Sequence, residues 1–202
     1  MKNKTMKSKK RIKICINVLL AALIFLCWGN SLWIHAKAHL AQRLIAKAWT
    51  QTLKDQGEHK PWPWADTWPV AKLSIPGKAI SYYVLQGANG SSLAFAPGYL
   101  DESVSPEQYG AKMISGHRDT HFKFLEHIEN GELIKLNDKY NQSHSYAVSG
   151  EKIYDITTDT WQVDIDRDEL KLITCYPFNA INPGGPLRLV LTAKKLNVQK
   201  AI

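Results

Sequence analysis

Cysteine is scarce in this chain: its 202 residues hold three, Cys15, Cys27 and Cys175. The first two lie in one apolar run. Cys175 therefore has no partner for a disulfide in the rest of the chain, which excludes a small disulfide-stapled scaffold. Acid is missing from residues 1–13, which carry Lys2, Lys4, Lys7, Lys9, Lys10, Arg11 and Lys13. Ionised residues of either sign are missing from 14–34. No HExxH pattern occurs and no acidic cluster reads as a calcium site, so no metal and no other cofactor is expected. Repeats and low-complexity tracts are absent too.

The formal net charge of +8 invites a nucleic-acid reading, but its distribution argues against one. Residues 61–202 hold 14 basic and 16 acidic side chains, a net of −2. A folded part without a basic excess lacks the electrostatic footprint of a duplex binder, and no nucleic-acid partner is expected. The excess sits beside the apolar run, where basic residues set membrane orientation.

That run, ICINVLLAALIFLCWGNSLWI, is long enough for a helix to span a bilayer, since about 20 apolar residues suffice. Trp28 and Trp33 stand near its far end, where aromatic rings favour the interface. No A-x-A-like cleavage site directly follows, so the run reads as an uncleaved anchor in preference to a signal peptide. Residues 1–13 then form a basic cytoplasmic tail, 14–34 a transmembrane anchor and 35–60 a helical stalk or linker. Residues 61–202 form an extracytoplasmic domain, periplasmic if the cell is Gram-negative. Leu40, Leu44, Ile45, Ala48, Trp49 and Leu53 keep a helical spacing along the stalk, and Gly57 and Pro61 end it.

Beyond Pro61 the pattern changes to short β-branched and aromatic runs between turn signals. Strands are expected at 70–75, 80–85, 112–117, 133–136, 145–157, 170–174 and 187–193, with a short helix at 122–128. So many short strands in one domain imply a mainly β barrel or sandwich with one or two helical inserts.

A lone thiol in an exported domain needs a reason: burial, an intermolecular disulfide or catalysis. Cys175 ends a strand-like run, and Tyr176, Pro177 and Phe178 break it. A thiol there projects into a cleft, and a nearby base or cation would activate it. Among His117, His121, His127 and His144, His117 is the best placed, because the run KMISG before it reads as a strand. Arg188 lies between apolar neighbours in LRLVLTA, where it points either to solvent or into a cleft. In a cleft it would stabilise an oxyanion. Asp119 could orient His117, although a solvent-exposed or structural ion pair is the plainer reading.

Together these residues resemble the sortase family. Its active site combines a histidine at a strand end, a cysteine closing a Leu-x-Thr-Cys segment and an arginine on the next strand. Here they are His117 in SGHRD, Leu172-Ile173-Thr174-Cys175, and Arg188. The segments WPVAKLSIP, GHRDTHFKFLEHIENGELIKL and LITCYPF extend the likeness over about residues 65–195. Trp62-Pro63-Trp64-Ala65-Asp66 resembles the sortases of Gram-negative, often marine, proteobacteria. Lys171 departs from the threonine that many sortases carry there.

The resemblance implies a closed or nearly closed barrel of about eight strands with short helices. It implies a cysteine transpeptidase acting on an LPxTG-like sorting signal near the C-terminus of a secreted protein. Cys175 would be the nucleophile, His117 the proton donor to the leaving amine, and Arg188 the holder of substrate and oxyanion. Thr174 would line the pocket and bind substrate. The acyl group would pass to an amine acceptor on peptidoglycan or a protein lysine. Four alternatives remain. One is a membrane-anchored cysteine hydrolase that only cleaves, and another a non-enzymatic membrane-tethered binding module. The third is a zinc site of His117, His121 and Cys175. The last is an L,D-transpeptidase, whose Ser-x-Gly-Cys segment does not occur here.

Overall fold

A computed structural model describes residues 2–160, 166–182 and 184–196; within the first helix it describes the side chains of 13–25, 28 and 33 onward. That helix, α1, runs over Lys2–Asp55. The chain divides into two compact units, Met1–Gln42 and Arg43–Ile202.

In the first unit α1 leaves Ile14, Ile16, Leu19, Leu23, Phe25 and Trp33 exposed. Among the described residues no helix is long and apolar enough to cross a membrane. The segment 14–34, expected to do so, includes Cys27 and five further positions whose side chains lie outside those described.

In the second unit the end of α1 packs through Ile45 on Leu85 and Ala96, with Trp62, Tyr83 and Phe95 around them. The helix stops at Asp55, whose carboxylate accepts the Gly57 amide at 2.9 Å and contacts the His59 ring at 2.8 Å. Eight strands follow: β1 (Pro69–Ile75), β2 (Ile80–Gln86), β3 (Gly98–Tyr99), β4 (Lys112–Ser115), β5 (Leu133–Asn137), β6 (Ser143–Asp155), β7 (Glu169–Cys175) and β8 (Leu187–Lys195). They close into a barrel in the order β1-β2-β3-β4-β7-β8-β6-β5. Closure is thinnest at β3, which pairs only with Leu85 and Gln86 of β2 and with Ile114 and Ser115 of β4. The fold is mainly β, the eight-stranded barrel that the family resemblance implied.

Period-2 alternation explains the interior. Ala71, Leu73 and Ile75 of β1, Ile114 of β4, Leu170 and Leu172 of β7, and Leu189, Leu191 and Ala193 of β8 all join one buried core. The intervening residues face outward, and there Met113, Ile173 and Val190 form a second cluster with Leu100 and Tyr154.

The structure corrects several boundaries. The strand expected over 112–117 ends at Ser115, because Gly116 and His117 already lead into a turn. The helix expected over 122–128 is a 3-10 turn over Lys123–His127. Two elements were not expected. Strand β3 has two residues and so too little length to show alternation. The four-residue helix α2 (Gly90–Leu93) is too short for a helical period to show. Asn89 caps it, accepting the Ser92 amide at 2.9 Å.

One barrel end is held by charge. Lys112 begins β4 and Asp168 immediately precedes β7; their side chains meet at 2.7 Å and are 0% and 7% exposed. Lys195, at the end of β8, meets the other Asp168 oxygen at 2.6 Å. Burial alone would raise the Asp168 carboxyl, but the hydrogen bonds and charges of Lys112 and Lys195 outweigh it and hold it below its ordinary range. Asp168→Asn leaves Lys112 buried without its counter-charge and should cost about 3–5 kcal/mol in urea denaturation. The pH sign follows from a lowered folded value. The stabilisation is fully present above about pH 4 and is lost as pH falls through the still lower folded value of Asp168. Wild type should therefore lose more stability on acidification than the Asn variant; equal acid slopes would remove the cluster from this role.

Candidate active site

The four best-placed sequence candidates sit at the opposite ends of the same strands. Strands β4 and β7 pair in parallel, Lys112 with Leu170 through Ser115 with Ile173. Past the strand end the ladder continues: the Gly116 amide donates to the Ile173 carbonyl at 3.0 Å. The Thr174 hydroxyl donates to the Gly116 carbonyl at 2.7 Å. The chain then turns, with the Phe122 amide donating to the His117 carbonyl at 2.9 Å, so His117 stands two residues past the last paired residue, Ser115. On the other side of β7, Cys175 pairs directly with Arg188 of the antiparallel β8. Directly opposed residues on paired strands have Cβ atoms roughly 4.5–5.5 Å apart and share a face.

Alternation decides which face. Leu170, Leu172, Leu189 and Leu191 point inward, so Cys175 and Arg188, one step out of phase, point outward with Ile173 and Val190. Strands β7 and β8 thus present a thiol and a guanidinium on one outer face at one level, and His117 stands in the turn that follows β4. Cys175 is half-buried and His117 exposed.

Thr174 is different. It points inward, is 1% exposed, and its hydroxyl is committed to Gly116. The bond ties the strand of Cys175 to the turn of His117. Gly116 has a reason of its own: a Cβ there would lie 2.8 Å from the buried Phe122 ring, so only glycine lets that ring pack beneath the turn. Asp119 lies exposed in the turn after His117.

His121 sits four positions beyond His117. Burial holds its imidazole below the ordinary histidine range and His117 adds to this, while a hydrogen bond with the Phe95 backbone opposes it. Its Nδ1 is buried without a hydrogen-bond partner among the described residues. Its ring meets Tyr82 edge-on at 5.4 Å. His127 is exposed beside Glu126, and His144 is paired with Asp138 at 2.8 Å. Among the described residues no group of three or more His, Cys, Asp or Glu side chains gathers to hold a metal ion, so the grouping of His117, His121 and Cys175 is not formed.

The segment between β7 and β8 walls the site. It starts with a cis Tyr176–Pro177 peptide. Arg188 holds its exit, with Nη1 donating to the Gly185 carbonyl at 2.6 Å and the Leu187 carbonyl at 2.9 Å. Arg118 holds its middle: Nη1 donates to the Pro177 carbonyl at 3.0 Å, and Nη2 to those of Ala180 at 2.8 Å and Asn182 at 3.2 Å. Sequence reasoning gave Arg118 no role. A cleft of about 340 Å³ adjoins this segment, lined by Tyr176, Pro177, Phe178, Asn179 and Leu189, with Leu125, Glu126 and Glu151. A second cavity, about 320 Å³, lies beside the end of α1 and includes Thr52, Trp68, Tyr99 and Asp101. Neither lining includes Cys175, His117 or Arg188.

A closed β-barrel that gathers cysteine, histidine and arginine on neighbouring strands belongs to a recognisable class of thiol-bearing barrels. The family model described as the sortase domain matches residues 73–196. The chain belongs to the sortase family. It is similar to Sortase D of Bacillus subtilis (strain 168), with 29% identity over 126 residues, 61% of this chain and 62% of that protein. The chain thus spans less than two thirds of that relative's length. Among solved structures it is similar to Sortase A from Corynebacterium diphtheriae, with TM-score 0.58 and 23% identity, covering 69% of this chain and 66% of that one. It is also similar to the Clostridium perfringens Sortase D5 transpeptidase, with TM-score 0.62 and 15% identity, covering 78% and 99%. At these identities the structures speak for the fold.

The tie through Thr174 can be tested. Thr174→Val keeps the shape but removes the hydroxyl, leaving the Gly116 carbonyl without that donor. It should cost about 1–3 kcal/mol in urea denaturation. A change within measurement error would mean that solvent replaces the bond.

Proposed function

We propose that this chain is a membrane-anchored cysteine transpeptidase of the sortase type. It cleaves an LPxTG-like sorting signal of a secreted protein and transfers the product to an amine acceptor. The observation that carries the reading is the direct pairing of Cys175 with Arg188 across β7 and β8, with His117 two residues beyond the end of β4, the strand on the other side of β7.

The chemistry follows from that placement. The Cys175 thiolate attacks the threonine carbonyl of the Thr–Gly bond in the signal. Arg188, directly across from Cys175, stabilises the oxyanion with a charge that does not titrate. His117 as imidazolium protonates the departing glycine amine, leaving a thioester on Cys175. The acceptor amine then attacks the thioester. His117 takes its proton, and the Cys175 thiolate leaves. Water in place of the amine gives hydrolysis. The acceptor is an amine of peptidoglycan or a protein lysine, and the steps require no cofactor.

Residues 14–34 form the anchor, 1–13 stay in the cytoplasm, 35–60 link the anchor to the domain, and 61–202 work outside the cytoplasm. The apolar side chains exposed along α1 and the seven basic residues before them support this. The segment Trp62–Asp66 supports placing the chain among the Gram-negative proteobacterial sortases. In such a cell the domain would face the periplasm.

The test is intact-mass spectrometry of the full chain in detergent, incubated with a library of Leu-Pro-x-Thr-Gly-type peptides, with and without an added amine. A thioacyl adduct should form on wild type, be absent from Cys175→Ala, and pass to the amine. His117→Ala should slow acylation about 10²–10⁴-fold. Arg188→Gln should slow it about 10²–10³-fold. No adduct from any peptide would contradict the proposed substrate. An adduct that water resolves, and the amine never does, would make the protein a hydrolase.

A further inference from the structure

The clamp made by Arg118 extends the functional reading. The segment from Tyr176 to Pro186 leaves the strand that carries Cys175 and returns on the strand that carries Arg188. Its described residues, 176–182 and 184–186, form no strand, so their carbonyls lack the partners that a sheet would supply. Three of them, those of Pro177, Ala180 and Asn182, converge on the guanidinium of Arg118 at 3.0, 2.8 and 3.2 Å. One local bond, from the Ala180 amide to the Pro177 carbonyl at 3.3 Å, folds the segment into the turn that presents them. A planar, rigid fork can serve several carbonyls at once, which a lysine ammonium on a flexible stem cannot do with the same geometry.

Two consequences follow from where Arg118 stands. It is the next residue after His117, and its bonds end on the segment that begins one residue after Cys175. The turn of the imidazole and the wall beside the thiol are therefore tied by one side chain, independently of the strand ladder. The clamp also holds the carbonyls on both sides of Ile181, whose side chain is 98% exposed. A large apolar side chain held in solvent at the tip of an anchored segment is placed to meet a bound peptide.

We propose that Arg118 is a positioning residue: its three carbonyl bonds hold residues 177–182 as a preformed wall of the cleft that begins at Tyr176, next to Cys175, and tie that wall to the turn of His117. This rests on the transpeptidase reading for its kinetic consequence, but the clamp itself does not. Without it the wall must be ordered when peptide binds, and that cost appears as weaker binding. Cys175 itself, held in β7, remains reactive.

The experiment compares the full-length wild type with Arg118→Gln and Arg118→Lys in detergent. Hydrogen exchange is read over 177–182 and over β8. The rate of Cys175 alkylation by iodoacetamide and KM and kcat for a Leu-Pro-x-Thr-Gly peptide are also measured. Exchange in 177–182 should quicken about tenfold or more in both variants, with β8 unchanged. KM should rise about tenfold, with the alkylation rate within about twofold of wild type. Arg118→Lys, which keeps the charge and loses the fork, should recover only a minor part. Unchanged exchange in 177–182, full recovery by lysine, or an unchanged KM would each overturn the proposal. If exchange in β8 quickens as well, Arg118 is a general stabilising residue and the proposal fails. If Arg118→Gln does not fold, Arg118→Lys alone decides by the same readings. Should wild type not react with the peptide, it is the transpeptidase reading that fails, and the exchange pattern decides the clamp by itself.

Discussion

Everything at the site depends on the parallel pairing of β4 with β7. These strands come from distant parts of the chain, and their partners differ by a constant 58 positions. A slip of one residue would turn Cys175 to the interior or move His117 away from its level, because side chains alternate with period two. The register is held at both ends. At the start of the strands, Asp168 lies between Lys112 and Lys195. At their finish, the Gly116 amide and carbonyl bond to Ile173 and Thr174. Between them, Ile114 and Leu172 point into the barrel, and Met113 and Ile173 into the outer cluster. The ladder pairs Cys175 with Arg188, and the bonds of Gly116 fix where the turn of His117 begins.

Much of this is legible in the amino-acid sequence, for a physical reason. Strands that bury one face announce themselves by alternation, so β1, β2, β5, β7 and β8 stand within two residues of the expected boundaries. Cys175, His117 and Arg188 are legible because each stands at a strand end or amid apolar neighbours, where such a residue needs an explanation. Two-residue β3 and four-residue α2 are too short for any period to show. The strand leading to His117 reads too long because apolar character does not reveal that Gly116 already turns away, under the constraint of the Phe122 ring. Arg118 is the instructive omission. Its partners are backbone carbonyls of Pro177, Ala180 and Asn182, and any residue type supplies a carbonyl, so no sequence pattern marks them. The bond of Thr174 is hidden for the same reason, since its acceptor is the Gly116 backbone carbonyl.

The two arginines near Cys175 divide the work. Arg188 stands directly across from the thiol, and Arg118 reaches the same segment from the turn of His117. A guanidinium keeps its charge at any working pH. An arginine that also donates to backbone carbonyls is held in place before substrate arrives, which is the condition for electrostatic stabilisation without reorganisation. His121 lies in the same neighbourhood, but burial holds its imidazole below the usual range.

The most direct test of a shared site is the rate of Cys175 alkylation by a small thiol reagent at one fixed pH, measured in wild type and in His117→Ala. An imidazole beside a thiol activates it as a nucleophile. Wild type should then react faster than His117→Ala. Equal rates from two folded proteins would contradict a place for His117 beside Cys175, and with it the reading of this face of the barrel as one active site.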